Sequence, residues 1–149
     1  MLSNKAKYAL KALAYLAASN RTAAVQGSDI AEAVNVPRRF LGAILLQLKN
    51  AGYVSARRGF GGGYGLQRSP SEIAVGEVVR LIDGPVAPLP CASRNAFQPC
   101  DDCGDVNRCR IRGLMIEVRD AIARLLDEKT IADISEDLDG CEEGRLFQA

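Results

Sequence analysis

The sequence predicts a mainly α-helical protein with a small β-hairpin wing: a winged helix-turn-helix followed by a long dimerisation helix. Between Ser28 and Ala51, a short helical segment, a tight turn and a longer helical segment follow one another, which is typical of a helix-turn-helix. A glycine-rich hairpin pattern comes directly after it. From residue 110 onward, apolar residues recur at alternating spacings of four and three, as in a coiled coil.

Three helices are expected before residue 52. The first covers residues 4–18, and its apolar stripe is Ala6, Leu10, Leu13 and Ala17. Ser28 is expected to be the N-cap of a short second helix that ends near Asn35, with an apolar face of Ile30, Ala31, Ala33 and Val34. Pro37 opens the third helix, where its missing N–H costs nothing, and Gly52 ends it near Ala51. Its buried stripe is Leu41, Ile44, Leu45 and Leu48.

The rest of the chain is predicted to contain a wing, a loop and further helices. YVSARR and YGLQR are the two strands of the wing, and GFGGG joins them. A short extended piece and a helix follow over residues 71–83. Prolines and cysteines dominate the next segment, up to Cys109. A long helix then runs from about Arg110 to Asp127, and residues 130–138 are expected to form a last short helix.

The charge is divided unequally between the two halves of the chain. Residues 1–70 contain ten Lys and Arg against two acidic residues, a net charge of +8. Residues 71–149 contain nine Lys and Arg against sixteen acidic residues, a net charge of −7. A basic half that coincides with a helix-turn-helix pattern indicates a surface for a polyanion, here double-stranded DNA.

The residues expected to contact DNA lie on the third helix and on the wing. Recognition helices use their N-terminal turn against base edges, and arginine pairs well with guanine. The small residues of this helix would let it approach the DNA closely, and a wing arginine can enter the minor groove. The predicted set is Ser28, Arg38, Arg39, Gly42, Ala43, Arg57, Arg58 and Gly59.

Four cysteines within one short segment are the other unusual feature. Cys91, Cys100, Cys103 and Cys109 follow the pattern C-x8-C-x2-C-x5-C, and Cys141 lies apart from them. Such a group could be a zinc site, an iron–sulfur site, a set of disulfides or a thiol-based redox switch. Three nearby arginines would lower the thiol pKa values: Arg94, Arg108 and Arg110.

Catalysis and membrane insertion have little support. The chain contains no histidine, so the usual base for a nucleophilic Ser or Cys is missing. The glycine run has neither G-x-G-x-x-G nor a following Lys-Ser/Thr, which argues against a nucleotide-binding loop. No apolar run approaches the length of a membrane span, and the N-terminal segment fits an amphipathic helix better than a signal peptide. A cytoplasmic protein that is not an enzyme is expected.

The long helix is expected to pair with a second copy of the chain. Its seam is Ile111, Met115, Val118, Ile122 and Leu125. Packing of this seam against its own domain is the alternative. The predicted organisation is a DNA-binding winged helix over residues 1–83, a cysteine sensor loop over 84–109, a dimerisation helix and short terminal helix over 110–138, and a flexible tail over 139–149.

The chain resembles the IscR/NsrR-type winged-helix regulators of bacteria, many of which carry iron–sulfur clusters. The resemblance covers roughly Leu2 to Leu138. It rests on KYALKALAYLA, RRFLGAILLQLKNAGYVSARRGFGGGYGL, IAVGEVVRLID, the cysteine loop and RDAIARLLDEKTIADI. It implies a homodimeric repressor or activator with Arg38, Arg39, Gly42 and Ala43 toward DNA and Arg58 as the wing arginine. Its cluster cysteines map most directly to Cys91, Cys103 and Cys109, and Cys100 is an additional thiol that could replace Cys103.

The usual fourth cluster ligands of this family are missing. Arg112 stands where some members have a histidine, three residues after the last cysteine. Others use an acidic residue of the first helix, but residues 1–20 contain none, and Lys7 lies near that place. Cys100 is therefore expected to complete an all-cysteine site. Gly42 replaces a glutamate that tunes DNA selectivity in some members.

These observations predict a dimeric DNA-binding regulator that senses iron–sulfur cluster or redox status through Cys91, Cys100, Cys103 and Cys109. The cluster would be of the 2Fe–2S or 4Fe–4S type. Three alternatives stay open: a metal-free thiol–disulfide switch, a structural zinc site, and an enzyme or protein-interaction module with no role on DNA.

Overall fold

Residues 2–19 and 24–136 are described by a computed structural model of the chain. Within them the helices are α1 (Asn4–Ala18), α2 (Gly27–Ala33), α3 (Arg38–Asn50), α4 (Val75–Asp83), α5 (Arg110–Glu128) and α6 (Ile131–Glu136). Strands β1 (Val54–Arg57) and β2 (Gly63–Leu66) pair antiparallel, with Val54 opposite Leu66 and Arg57 opposite Gly63. Short 3₁₀ turns cover Pro70–Glu72, Pro90–Ala92 and Val106–Arg108. The predicted winged-helix fold class is confirmed.

The start of α2 differs from the prediction. Gln26, not Ser28, occupies the N-cap, and the helix begins at Gly27, two residues earlier than predicted. Ser28 lies inside the first turn, where its hydroxyl donates to the Asp29 carboxylate at 3.0 Å. The preceding backbone explains the shift, because the peptide N–H groups of Asp29 and Ile30 both bond to the Gln26 carbonyl. Ala33, expected on the apolar face, is exposed.

The core lies among α1, α2, α3, β1 and α4. The predicted α3 stripe is fully buried: Leu41, Ile44, Leu45 and Leu48 are each at most 1% exposed. On α1 the buried surface is broader than the predicted stripe, since Ala6 and Leu13 are buried, whereas Leu10 and Ala17 are only partly covered. Small alanines on α1 let the other helices approach it closely, and these are Ala6, Ala9, Ala12 and Ala14.

Helix α6 returns to the winged-helix half after the long helix. Ile131 is 0% exposed and belongs to the same core as Leu13 and Ile44. The return is fixed by backbone pairing, because the Ile131 N–H donates to the Ile73 carbonyl at 2.9 Å and the Val75 N–H donates to the Lys129 carbonyl at 2.8 Å. The two ends of α5 are therefore tied to different parts of the protein: the cysteine loop before it and the winged-helix core after it.

Helix α5 itself buries none of its residues against the rest of the described chain. Several of its large apolar side chains are exposed, with Ile111, Leu114 and Leu125 at 65%, 56% and 62%. Of the predicted seam, Ile111, Ile122 and Leu125 are exposed within one chain, whereas Met115 and Val118 are partly covered. No helix among residues 2–19 and 24–136 is long and apolar enough to cross a membrane. Cys141 and the tail over 139–149 lie outside the described residues.

Candidate DNA interface and cysteine loop

The outward face of α3 carries the residues expected to meet DNA. Burial of its leucine and isoleucine stripe turns the opposite side of the helix to solvent, so the orientation follows from the core. Arg38 and Arg39 begin the helix after Pro37, and both are exposed. The exposed surface continues along the helix through Gly42, Ala43, Leu46 and Asn50.

Within residues 2–19 and 24–136, the arginines on this face form no ion pair with an acidic side chain. The ion pairs within the described residues use Arg68, Arg80, Arg94 and Arg119. Arg39 instead lies over the ring of its neighbour Phe40, at 4.8 Å from the ring centroid. Cations at a helix N-terminus oppose the helix dipole, so an external anion would stabilise Arg38 and Arg39.

One polar side chain of α3 is engaged inside the protein. The Gln47 amide donates to the Leu81 carbonyl at 2.9 Å, and its oxygen accepts from the Lys5 ammonium at 2.8 Å. Gln47 thereby joins α3 to both α1 and α4. Asn50 is the remaining exposed amide on the outward face.

The wing projects from a fixed base. Val25 and Tyr64 exchange backbone hydrogen bonds of 2.9 and 2.8 Å, and the Gln26 amide donates to the Gly62 carbonyl at 2.7 Å. Arg57 and Arg58 are exposed at the end of β1, and Gly59 follows with a φ of 97°. Ser28, by contrast, is half-buried, and its hydroxyl donates to the Asp29 carboxylate.

The cysteine loop, residues 84–109, brings its four thiols together in a row. Cys100 lies within hydrogen-bonding reach of both Cys91 and Cys103, and Cys103 is within reach of Cys109. Cys91 is 2% exposed, whereas the other three are half-exposed. Cys91, at one end of this row of thiols, is therefore buried, whereas the thiols toward the other end are partly exposed to solvent.

The thiol pKa values differ along this row. The hydrogen bond with Cys91, together with burial, raises the pKa of Cys100 to about 12. The pKa of Cys103 is raised mainly by its hydrogen bond with Cys109. The pKa of Cys109 is lowered, first by a hydrogen bond from the backbone N–H of Arg112. The expectation that nearby arginines would lower all of these pKa values is wrong, because main-chain groups and neighbouring thiols dominate.

Cys109 is also the N-cap of α5. Its sulfur accepts from the Arg112 backbone N–H at 3.5 Å, so the last cysteine is part of the first turn of the long helix. The N-terminus of a helix favours a thiolate. Any change at this sulfur therefore acts directly on the start of α5.

Two arginines of α5 hold the loop by its backbone. Arg112 Nε donates to the Cys91 carbonyl at 2.8 Å, and its guanidinium lies 5.7 Å from the centre of the Phe97 ring. Arg119 donates to the Ala92 carbonyl and pairs with Asp120 at 2.7 Å. The sequence indicated only that Arg112 stands where some members of the family have a histidine ligand. Its hydrogen bonds bring the first and last cysteines of the group to a single residue.

The other end of α5 is clamped to α4. Arg80 donates to both carboxylate oxygens of Asp127, at 2.8 and 2.6 Å. A β-carbon on Gly76 would lie 2.0 Å from the Asp127 carboxylate, so a side chain at this position would have to displace Asp127 from its present place. Contacts of α5 with its own chain are therefore mostly polar.

A metal-binding arrangement is present at the middle of the loop. The ligand atoms of Cys100, Asp102 and Cys103 all lie within 4.8 Å of one another. Asp102 was not expected as a ligand, and its place between the two cysteines was the available signal. Thiolates are good ligands for iron–sulfur clusters and for zinc, so the four thiols fit either group by their chemistry.

Comparison with known proteins gives consistent matches over most of the chain. Residues 2–137 match the Rrf2 family, described as iron-dependent transcriptional regulators. An rrf2-like HTH-type transcriptional regulator of Rhodobacter capsulatus is 47% identical over 137 residues, which is 90% of this chain and 91% of that protein. The HTH-type transcriptional regulator NsrR of Geobacillus kaustophilus is 32% identical over 136 residues, 91% of this chain and 90% of its own.

A solved structure is similar as well. The structure of CymR, the global cysteine regulator of B. subtilis, superposes with a TM-score of 0.74 at 29% identity. The alignment covers 91% of this chain and 96% of that one. The similarity therefore includes the cysteine loop and the long helix as well as the winged helix.

Proposed function

We propose that this chain, which belongs to the Rrf2 family of transcriptional regulators, binds double-stranded promoter DNA as a homodimer and responds to an iron–sulfur cluster. Transcriptional regulation, DNA binding through a winged helix and the absence of an enzymatic role follow from family membership. The cluster, the named DNA contacts, the domain boundaries, the dimer and a cytoplasmic location are the proposal. The observation that carries it is the row of four thiols that ends in the N-cap of α5.

The DNA surface we propose combines the α3 face with the wing. Arg38, Arg39, Gly42 and Ala43 would enter the major groove, and Arg57, Arg58 and Gly59 would follow the backbone or the adjacent minor groove. All seven are exposed, which supports this assignment. Ser28 would contribute only through α2, since its side chain is bonded to Asp29.

The dimer we propose forms along the apolar face of α5, where Ile111, Ile122 and Leu125 are exposed and Met115 and Val118 are partly covered. Ile111, Met115, Val118, Ile122 and Leu125 repeat at coiled-coil spacing, and Leu114 widens the same face. Outside this apolar face, Arg112, Arg119 and Asp127 bond to their own chain. This division supports pairing of the apolar face with a second copy, because monomeric proteins rarely expose such a stripe.

The cluster would be held by Cys91, Cys100, Cys103 and Cys109. When bound, an iron–sulfur cluster supplies a redox-active cross-link among its cysteine ligands. The protein itself holds the same loop through Arg112 and Arg119. The description of the family as iron-dependent supports iron over other metals.

The coupling we propose runs through α5. Cys109 caps its first turn, Asp127 fastens its last turn to Arg80, and Gln47 joins α4 to α3. A change at the loop would thus alter how the two recognition helices of a dimer are spaced. Their spacing must match half-sites about one DNA turn apart.

Anaerobic purification with iron, sulfide and absorption analysis tests the cluster. The wild type should be coloured, Cys100→Ser should lose most of its iron, and Cys141→Ser is the matched control that should keep it. DNA affinity is measured on the same samples before and after cluster removal. A colourless, iron-free anaerobic protein with full and unchanging affinity would reject the cluster while leaving DNA binding intact.

A structural zinc site is the second candidate, and one observation favours it. Zinc prefers four ligands close together, and Cys100, Asp102 and Cys103 already offer three within 4.8 Å. Metal analysis after aerobic purification separates the two, because zinc survives air. Asp102→Asn should lower zinc content and leave an all-cysteine iron–sulfur cluster in place.

A metal-free thiol–disulfide switch is the third candidate. Its support is the contact between Cys103 and Cys109, whose pKa is lowered. Mass spectrometry of the metal-free protein after mild peroxide distinguishes it. A reversible Cys103–Cys109 link that changes DNA affinity would favour the switch.

A further inference from the structure

We propose that Phe60, at the tip of the wing, is an apolar wedge that inserts into the DNA minor groove beside Arg58. The inference rests on the DNA-binding function proposed above and adds to it a residue that reads the deformability of the duplex. Phe60 is 113% exposed, so its ring makes no contact that stabilises the folded chain. A large aromatic ring displayed in this way is free to pack against a partner, and its place just after two exposed arginines at the wing tip points to DNA.

The wing tip is built to present this ring. The Gly62 N–H donates to the Gly59 carbonyl at 2.9 Å, which closes a four-residue turn with Phe60 at its second position. Gly61, at the third position, has a φ of 74°, the pattern of a type II turn. The side chain at the second position of such a tight turn points away from both strands.

The backbone beside the turn is closely packed. A β-carbon on Gly62 would lie 2.4 Å from the Arg57 carbonyl oxygen, and one on Gly63 would lie 2.4 Å from that of Val25. The backbone is therefore packed on itself and on the segment before α2, where the Gln26 amide also holds the Gly62 carbonyl. The base of the wing is fixed and Phe60 projects from it.

Charge identifies the partner as DNA. Arg57 and Arg58 precede the ring, both exposed, and the first seventy residues contain only Asp29 and Glu32 as acids. A protein partner would need an acidic and apolar surface at once, whereas a minor groove offers both phosphates and the edges of stacked bases. Apolar wedges of this kind enter between base steps and kink the duplex, with least cost at flexible pyrimidine–purine steps.

The first test uses the fact that the chain has no tryptophan. Phe60→Trp introduces one fluorophore at the wing tip, and Phe97→Trp introduces one on the cysteine loop as a control. The probe is a duplex recovered by the wild type from a random-sequence library. Binding of this duplex should quench the emission at position 60 and shield it from acrylamide, whereas a tryptophan at position 97, outside the proposed DNA surface, should stay accessible to acrylamide. An unshielded tryptophan at position 60 in the saturated complex would overturn the proposal.

The second test compares affinities over a range of salt. Phe60→Ala should weaken DNA binding roughly tenfold at every salt concentration, because stacking of the ring on the bases is lost. The slope of log affinity against log salt concentration should not change, since no charge is removed. Phe60→Leu should recover most of the affinity, because leucine also serves as a wedge. Arg58→Gln is the contrasting variant and should lower the slope by about one.

The outcomes separate the wedge from DNA binding in general. If Phe60→Ala binds the duplex as tightly as the wild type, the wedge is rejected and a protein partner for the ring becomes the explanation. If the loss appears as a reduced salt slope, Phe60 only positions the arginines and the wedge is likewise rejected. If the wild type recovers no duplex, the DNA-binding function itself fails.

Discussion

The winged-helix half and the α5 half of this protein are held together by different forces. Leu13, Ile44 and Leu48 of the winged helix are each at most 1% exposed, and they pack in one apolar core. In contrast, α5 buries no residue, and its links to its own chain are hydrogen bonds and ion pairs. The core of the first half is complete within one chain, whereas the second half leaves apolar side chains of α5 exposed and three of its four thiols partly exposed.

This contrast suggests where a regulator can change state at low cost. Apolar cores are close-packed and do not deform gradually. A helix held by exposed ion pairs and by a few carbonyl contacts can shift with a small free-energy change. The cysteine loop and α5 are therefore expected to move as a unit, while the DNA-binding domain keeps its internal packing.

The largest effect is expected from a mutation in the core. Leu48→Ala should lower the free energy of unfolding by about 2–5 kcal/mol, because the side chain is 0% exposed and leaves a cavity. Urea unfolding followed by circular dichroism measures it. Leu46→Ala on the same helix is the matched control: its side chain is 57% exposed, so a change within about 0.5 kcal/mol is expected. Equal losses for both variants would contradict the division of α3 into a buried and a free face.

The second effect concerns the exposed face of α5. Leu125→Asp should raise the dimer dissociation constant by roughly a hundredfold or more, since it would place an unpaired charge in an apolar seam. The unfolding of the winged-helix half at a fixed protein concentration should change far less. Analytical ultracentrifugation reports the association. Arg124→Ala, an exposed residue outside the seam, should leave the dimer intact. A monomeric wild type would end the proposal that this face pairs.

Periodicity and end signals were sufficient to predict most of the winged helix. The apolar residues of the α3 stripe recur at spacings of three and four, as in a helix. Gly52 has the positive φ of 81° that a helix end favours, and GFGGG joins the two strands of the hairpin. The start of α2 was misplaced because Ser28 is a better cap by type than Gln26, yet the backbone bonds begin at Gln26. Local preference was overridden by the pairing of Val25 with Tyr64, which fixes the chain just before the helix.

The sequence identified the cysteines of the loop but not the contacts between them. Spacing identified the four thiols, but the order of their contacts depends on how a proline-rich loop closes. The roles of Arg112 and Arg119 depend on carbonyl groups about twenty or more residues earlier, at Cys91 and Ala92. No local pattern encodes such a contact. The return of Ile131 to the core is likewise a long-range pairing, through Ile73.

The third effect would loosen the cysteine loop without touching a thiol. Arg112→Ala removes the donor to the Cys91 carbonyl, which should destabilise the loop locally by about 1–3 kcal/mol. Hydrogen exchange of residues 84–109 should accelerate, while that of α3 stays the same. Arg110→Ala is the matched control, because Arg110 is exposed and lies in the same first turn of α5. Arg112→Lys should restore part of the protection. Unchanged exchange in Arg112→Ala would mean that Arg119 and the thiols hold the loop without Arg112.

The smallest effect is the pH dependence of the clamp between α4 and α5. Hydrogen bonds from Arg80 lower the pKa of Asp127 below its ordinary value of 3.8. A carboxyl with a depressed pKa in the folded state contributes stability above the unfolded pKa and loses it as pH falls through the lower folded pKa. Asp127→Asn should therefore be less stable than the wild type at pH 7, by less than about 1 kcal/mol since the ion pair is partly exposed.

That difference should shrink as the pH falls below about 4 and vanish once Asp127 is protonated in both states. Urea unfolding of the two proteins at pH 7 and at acidic pH provides the comparison. Glu128→Gln is the control, a neighbouring exposed carboxylate that should show no such convergence. A pH-independent difference would mean that Asp127 acts by packing against Gly76 rather than by its charge. The attachment of α5 to α4 would then depend on side-chain packing, as the apolar core does, more than on the ion pair.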